Sequence, residues 1–222
     1  MSQYQNLDKR VPIALDNVSL VQDLDKCKNC TLCRRACVND AGVMDFYDLT
    51  TNGDRPICIN CGQCAVACPF DCINERSEIS EVKKAIMDPQ SVVVFQTAPA
   101  IRVGLGEEFG MEYGSFVEGK VITALRQLGA DYVLDTNFGA DMTIMEEASE
   151  LIERLTSSNH PLPQLTSCCP AWVKFVETFY PELIPHLSSA KSPILMAAAT
   201  QKTYFAKKHQ IDPSKMVTVC VT

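Results

Sequence analysis

Apolar and polar positions alternate in a regular series through the second half of the chain. "SVVVF" (91–95) is a short apolar, β-branched run, as expected of a strand buried on both faces. "SFVEGKVITALRQLG" (115–129) spaces Phe116, Val117, Val121, Ile122, Leu125 and Leu128 at helical intervals, with Gly129 suited to end the helix. "DYVLD" (131–135) reads as a second strand. "DMTIMEEASELIERL" (141–155) returns to the helical period, with apolar positions from Met142 to Leu155 and Asp141 as the expected N-cap. "PQLTS" predicts a short strand leading into a helix that opens at Pro170. "SPILMAAATQKTYFAKKH" predicts another helix, with Pro193 near its start and basic residues at its end. "KMVTVCVT" (215–222) predicts a last strand with Cys220 buried in it. Strands alternating with helices imply a parallel sheet covered by helices, an α/β arrangement.

The first half has a different texture. Of twelve cysteines, nine lie between Cys27 and Cys72. This predicts a leader (1–15), a cysteine-rich module (16–76), a linker helix (77–90) and the α/β part (91–222). The chain is 46% hydrophobic, with 27 acidic against 20 basic residues and a net charge of -7. That balance argues against nucleic acid, which selects basic faces. The N-terminal stretch lacks the apolar core and cleavage site of a signal peptide, and no run approaches a membrane span. The expected compartment is the cytoplasm, where thiols stay reduced, so the cysteines read as metal ligands rather than disulfides.

Their spacing says which metal centre. Cys27, Cys30, Cys33 and Cys37 read C-x2-C-x2-C-x3-C, and Cys58, Cys61, Cys64 and Cys68 repeat it, followed by Pro69. This is the spacing of a bacterial two-cluster ferredoxin. Three closely spaced cysteines wrap one corner of a cubane, and the fourth is carried by a helix to the other cluster. One 4Fe–4S cluster is thus expected on Cys27, Cys30, Cys33 and Cys68, the other on Cys58, Cys61, Cys64 and Cys37. Two zinc sites are the competing reading, but zinc does not require four cysteines per run, doubled. The first run ends "CVND" rather than "CP", a departure that touches no ligand. Cys72, in "CPFDC", reads as a buried structural thiol.

A further motif, "TSCCPAW" (166–172), holds adjacent cysteines and the single tryptophan. It resembles the first active-site motif of the iron-only (FeFe) hydrogenases, with Ala171 where glycine is frequent. "TAPAIRVGLGEEFG" (97–110), "DTNFGADMTIMEEASELIERL" (135–155), "YPEL" and "LSSAKSP" (187–193) resemble the same family. The resemblance covers nearly all of the chain after the leader. It implies a ferredoxin-like module followed by a parallel-sheet α/β lobe of the FeFe hydrogenase type.

The family's active site, the H-cluster, is a 4Fe–4S cubane joined through a cysteine to a diiron unit with CO and cyanide ligands. It interconverts protons, electrons and H2. By position, the resemblance makes Cys169 a ligand of that cubane and Cys168 a free thiol that passes the last proton. It carries the relay to Glu147, Glu150 and Ser188, with Arg154 nearby. Spacing agrees in part, because Glu147, Glu150 and Arg154 share one helix face, although such a stripe is ordinarily a solvated one. Ala98 and Pro99 match residues lining the diiron pocket, and Ala100 stands where some members have a serine. Met145 is a candidate neighbour of the site, or plain core. His160, His186 and His209 read as surface or structural.

The remaining cubane ligands of the family would lie beyond Thr222, so the chain is expected to hold one lobe of a longer catalytic domain. Expected partners are a ferredoxin or other low-potential redox partner, protons and H2, and the remainder of that domain. Two other readings stand beside hydrogenase. One is an electron-transfer protein with a non-catalytic lobe. The other is a hydrogenase-like protein of iron–sulfur assembly, disfavoured because "TSCC" and the glutamate pair retain a proton path.

Overall fold

The computed structural model describes residues 9–43, 55–157 and 161–222. They fall into two compact units, one within 1–77 and 170–184, the other within 78–169 and 185–222.

In the first unit, β1 (Leu20–Gln22) and β2 (Ile73–Glu75) pair antiparallel, Leu20 opposite Glu75 and Gln22 opposite Ile73. Between them each cysteine run curls through a loop into a short helix, α1 (Leu32–Asn39) and α2 (Gln63–Val66). The sequence repeat is copied in the backbone. Asn29 and Asn60 hold φ of 52° and 60°, and Thr31 and Gly62 hold 68° and 81°. Left-handed residues let three closely spaced cysteines face inward. Asparagine and glycine adopt that conformation readily, whereas β-branched Thr31 does so under strain. The core between the loops is Val11, Ile13, Leu20 and Ile73 together with Cys33, Cys64 and Cys72. Asn17 ties the approach to β1 onto the second loop, its Nδ2 donating to Asn60 Oδ1 at 3.0 Å.

The second unit begins with α3 (Ile79–Met87) and is built on β3 (Val92–Thr97). Then come α4 (Ile101–Glu108), α5 (Glu118–Gln127), β4 (Tyr132–Asp135) and α6 (Thr136–Thr156). α7 (Pro170–Phe179) belongs to the first unit. The second resumes with α8 (Pro193–Thr200), which continues through a π turn (Gln201–Phe205) and a last helical turn, and with β5 (Met216–Val221). The sheet order is β4-β3-β5, parallel throughout. Alternation along β3 turns Val93 and Phe95 to one face, packed with Val117, Val121 and Leu125. It turns Val94 to the other, packed with Met216 and Ala206. Gln96, on that second face, is fully buried. Its Nε2 donates to the Ile194 carbonyl at 3.1 Å and to Cys220 Sγ at 3.0 Å, and its Oε1 accepts from Thr136 Oγ1 at 3.4 Å.

Four local expectations are corrected. α6 starts at Thr136, not near Asp141, because Asp135 at the end of β4 caps it, accepting from the Asn137 N–H at 2.9 Å. Its buried face is Thr136, Gly139, Thr143 and Arg154, while Ile144, Met145, Ile152 and Leu155 are exposed. "PQLTS" makes one isolated parallel bridge, Leu165 with Leu187, rather than a strand. Cys220 is exposed rather than buried.

The face of α6 that packs is small because α8 runs close against it. A Cβ on Gly139 would meet the Pro193 carbonyl oxygen and lie 2.9 Å from Ala197 Cβ. Gly139→Ala should therefore destabilise the fold by about 1–3 kcal/mol, the usual cost of overpacking. Denaturant unfolding checks this, and an unchanged midpoint would show that the helices can separate freely.

Candidate functional site

The first unit gathers thiols into two pockets. Cys27, Cys30, Cys33 and Cys68 line one, with an empty volume of about 330 Å³, and Cys72 lies beside them. Cys37, Cys58, Cys61 and Cys64 line the other, of about 420 Å³. In each, the fourth cysteine of one run has crossed to join the first three of the other. The helices do this: α1 carries Cys37, and Cys68 follows α2, away from their own loops.

The pockets differ in chemistry. Arg10, Lys9 and Lys28 line the first, whereas Val11, Pro12, Ile13, Leu20, Val43, Ile57 and Ile59 line the second. Burial opposes ionisation of Cys27, but the Asn29 backbone, Arg10 and the Cys72 thiol hydrogen-bond to it and bring it below the ordinary thiol value. Burial likewise opposes Cys68, and the N–H groups of Phe70, Ile73 and Cys72 overcome it. Cys64 has no such help. Burial, reinforced by Cys58, Cys61 and Cys37, pushes its thiol up to about 12. Asn60 N–H donates to Cys58 Sγ at 3.4 Å, so the left-handed asparagine also serves a sulfur. Among the described residues no three His, Cys, Asp or Glu side chains converge as a single-ion site. The thiols surround space instead, and two sets of four soft donors around pockets fit cubane clusters.

In the second unit the "TSCC" loop leaves Cys168 and Cys169 exposed. Ser167 Oγ donates to the Ala190 carbonyl at 2.7 Å and fixes the loop just before them. Ala98 and Pro99 follow the carboxyl end of β3, where Ala98 N–H extends the ladder to the Val221 carbonyl at 2.8 Å. Glu150, Arg154 and Ser188 meet directly. Ser188 Oγ donates to Glu150 Oε2 at 2.7 Å, Ser189 N–H to the same oxygen at 3.0 Å, and Arg154 Nη2 to Glu150 Oε1 at 2.6 Å. Burial disfavours the Glu150 carboxylate, but these donors and the Arg154 charge hold its pKa below the ordinary value. Arg154 is buried, unlike the solvated stripe that spacing alone suggests. Glu147, one turn earlier, presents a buried Oε1 with no partner among the described residues, an oxygen free to accept a hydrogen bond.

Residues 91–222 match the family described as "Iron only hydrogenase large subunit, C-terminal domain", and residues 19–69 match a 4Fe-4S dicluster domain. The chain belongs to the iron-only hydrogenase family. It is 42% identical to the NADP-reducing hydrogenase subunit HndD of Solidesulfovibrio fructosivorans, over 92% of this chain and 38% of that protein. It is 43% identical to iron hydrogenase 1 of Clostridium pasteurianum, over 91% of this chain and 37% of that one. A solved structure of apo [FeFe]-hydrogenase HydA1 from Chlamydomonas reinhardtii, in a variant form, superposes with a TM-score of 0.61 at 44% identity. That match covers 65% of this chain and 37% of the other. The chain thus spans well under half the length of these relatives.

Other expected residues fall outside these clusters. Met145 is exposed, and Ala100 ends its contribution at the backbone, accepting from Gly104 N–H at 3.0 Å. His186 Nδ1 lies 2.9 Å from the Pro163 carbonyl, His209 stacks near Phe205, and His160 lies outside the described residues. Sequence reasoning missed Gln164, Arg102 and Arg10. Gln164 Nε2 donates to the Glu147 carbonyl at 3.0 Å, supporting α6. Arg102 pairs with Asp135, the α6 cap, and with Glu118 at 3.5 Å. No spacing rule marks either. Arg10 could have been suspected as a cation shortly before an all-thiol module.

The Glu150 environment has a pH signature. A carboxylate held below its unfolded value binds fewer protons when folded, so its stabilisation is present above about pH 4.3 and is lost as pH falls through the folded value. Glu150→Gln should flatten that acid limb. At neutral pH it should cost on the order of 3 kcal/mol, the low end for breaking a buried pair, because carbonyls still hold Arg154. Denaturant midpoints from neutral to acid pH check both parts, and parallel curves for the two proteins would contradict the assignment.

Proposed function

We propose that this chain is the electron-delivering module and first catalytic lobe of an iron-only hydrogenase, whose reaction is 2H⁺ + 2e⁻ ⇌ H2. The crossed gathering of thiols carries the reading. Cys27, Cys30, Cys33 and Cys68 hold one 4Fe–4S cluster, and Cys58, Cys61, Cys64 and Cys37 the other. Together they pass electrons singly from a low-potential partner, a ferredoxin or its equivalent, in the cytoplasm. No helix among the described residues is long and apolar enough to cross a membrane.

In the second unit, Cys169 would hold the active-site cubane, and Ala98 and Pro99 would lie beside its diiron part. The H-cluster, when bound, supplies the metal chemistry that joins protons and electrons. The protein's own work is to deliver protons. Cys168 is exposed and bears an S–H that can be given up and regained. The Ser188 hydroxyl both donates and accepts: it donates to Glu150 and accepts from Ala190 N–H at 3.1 Å. Glu150, held ionised by Arg154, takes a proton only in passing, which suits a relay rather than a store. The unpartnered Glu147 oxygen, one turn away on the same face, gives the path its next acceptor.

The electron half is tested on this chain. Anaerobic reconstitution should give about eight irons. About four irons, or zinc, would refute the assignment. The proton half is tested in a chain of the relatives' full length. Cys168→Ala should leave the H-cluster's CO and cyanide infrared bands in place and lower H2 turnover by roughly 10²–10⁴-fold. Cys169→Ala should remove the bands themselves. The reverse pair of phenotypes would exchange the two roles.

A further inference from the structure

Five thiols border the first cluster pocket, and a cubane takes four. The fifth is Cys72. It is 3% exposed and lies beside Cys27, Cys30, Cys33 and Cys68. Its side chain and that of Cys27 are hydrogen-bonded to one another. Its backbone is fixed, since the Cys72 carbonyl accepts from Asp23 N–H at 2.7 Å at the end of the β1–β2 ribbon.

A buried cysteine is ordinarily a small apolar filler. The internal repeat offers a control for that reading. The second pocket, formed by the other half of the repeat, has no fifth sulfur along its lining. The sulfur at Cys72 sits instead beside a ligand that is only partly buried, in a loop rather than a helix. Such a thiol is open to oxidative loss.

We propose that Cys72 is a reserve iron ligand of the first pocket, hydrogen-bonded to Cys27 while Cys27 holds iron and able to take its place. The inference rests on the cluster assignment above. In the exchange, the iron–sulfur bond to Cys27 breaks and one to Cys72 forms. Cys72 releases its thiol proton, Cys27 regains one if its sulfur is intact, and no electron moves. The cluster keeps four thiolates and its charge.

The test is anaerobic reconstitution of the 222-residue chain as wild type, Cys27→Ala, Cys30→Ala, Cys72→Ala and the Cys27→Ala/Cys72→Ala double variant. Readouts are iron content and electron paramagnetic resonance of the oxidised state, in which intact 4Fe–4S clusters are silent and three-iron clusters are not. Wild type, Cys72→Ala and Cys27→Ala should all hold about eight irons and stay silent. Cys30→Ala, whose sulfur Cys72 does not bond, and the double variant should lose the cluster or show the three-iron signal. A Cys27→Ala chain that behaves like Cys30→Ala, folded or not, overturns the proposal. So does a double variant that keeps both clusters. A wild type holding fewer than two clusters would overturn the parent assignment, and this inference with it.

Discussion

The Arg154 guanidinium is 5% exposed, and it cannot shed its charge. It has five N–H donors, and each must find an acceptor inside the protein. Two reach Glu150 Oε1, and the others reach the carbonyls of Pro161, Pro185 and Leu187 at 3.0, 3.1 and 2.8 Å. Those carbonyls lie on two separate loops. One leads to Cys168, and the other carries Ser188. A single unremovable charge thus pins both loops to the end of α6. The same charge holds Glu150 ionised, so the geometry of the proposed proton path and its electrostatics would have one source.

The rest of α6 is held as firmly. Its start is fixed by the Asp135 cap, itself paired with Arg102. Its first turn lies against α8 at a distance only Gly139 permits. Gln96 then joins the start of α6, the start of α8 and β5 through three bonds from the central strand. Polar contacts of this kind, unlike apolar packing, demand particular partners at particular angles. A relay needs that, because proton transfer fails when hydrogen-bond distances drift.

The sheet was legible because its code is short-range. "SVVVF" shows a strand buried on both faces, "DYVLD" reads as the next strand, and the helices show their period. The doubled cysteine spacing was legible for the same reason, and it surfaces in the backbone as left-handed residues at matching places. What the pattern misjudged was which face of α6 is buried. Its apolar stripe through Ile144, Ile152 and Leu155 is exposed among the described residues, and its packed face is glycine, threonine and arginine. Hydrophobicity marks burial only where space is large enough for a side chain. At a close helix crossing, smallness is the signal, and no periodicity rule weighs a lone glycine that way. Asp141 looked like a cap for a related reason: Asp135 closes a strand and opens a helix with no loop between them. Arg154 was readable as a partner for Glu150, but the carbonyls that bury it come from segments distant in sequence.

The two adjacent thiols follow from backbone restriction. Cys169 precedes Pro170, which opens α7, and a residue before proline is kept out of the helical region. In extended backbone, successive side chains leave on opposite sides. Both cysteines are exposed, and Ser167, bonded to the Ala190 carbonyl, fixes the loop just before them. Extended backbone there would let two identical side chains take different work. In the proposed roles, one sulfur gives up its proton and becomes a ligand, while the other keeps a proton to exchange. On a helix the two would also part, by the helical step, but the backbone there would spend its N–H groups within the helix. In this loop the proline removes one donor and the serine fixes another part of the chain. The proposed division of labour would owe as much to those two flanking residues as to the sulfurs themselves.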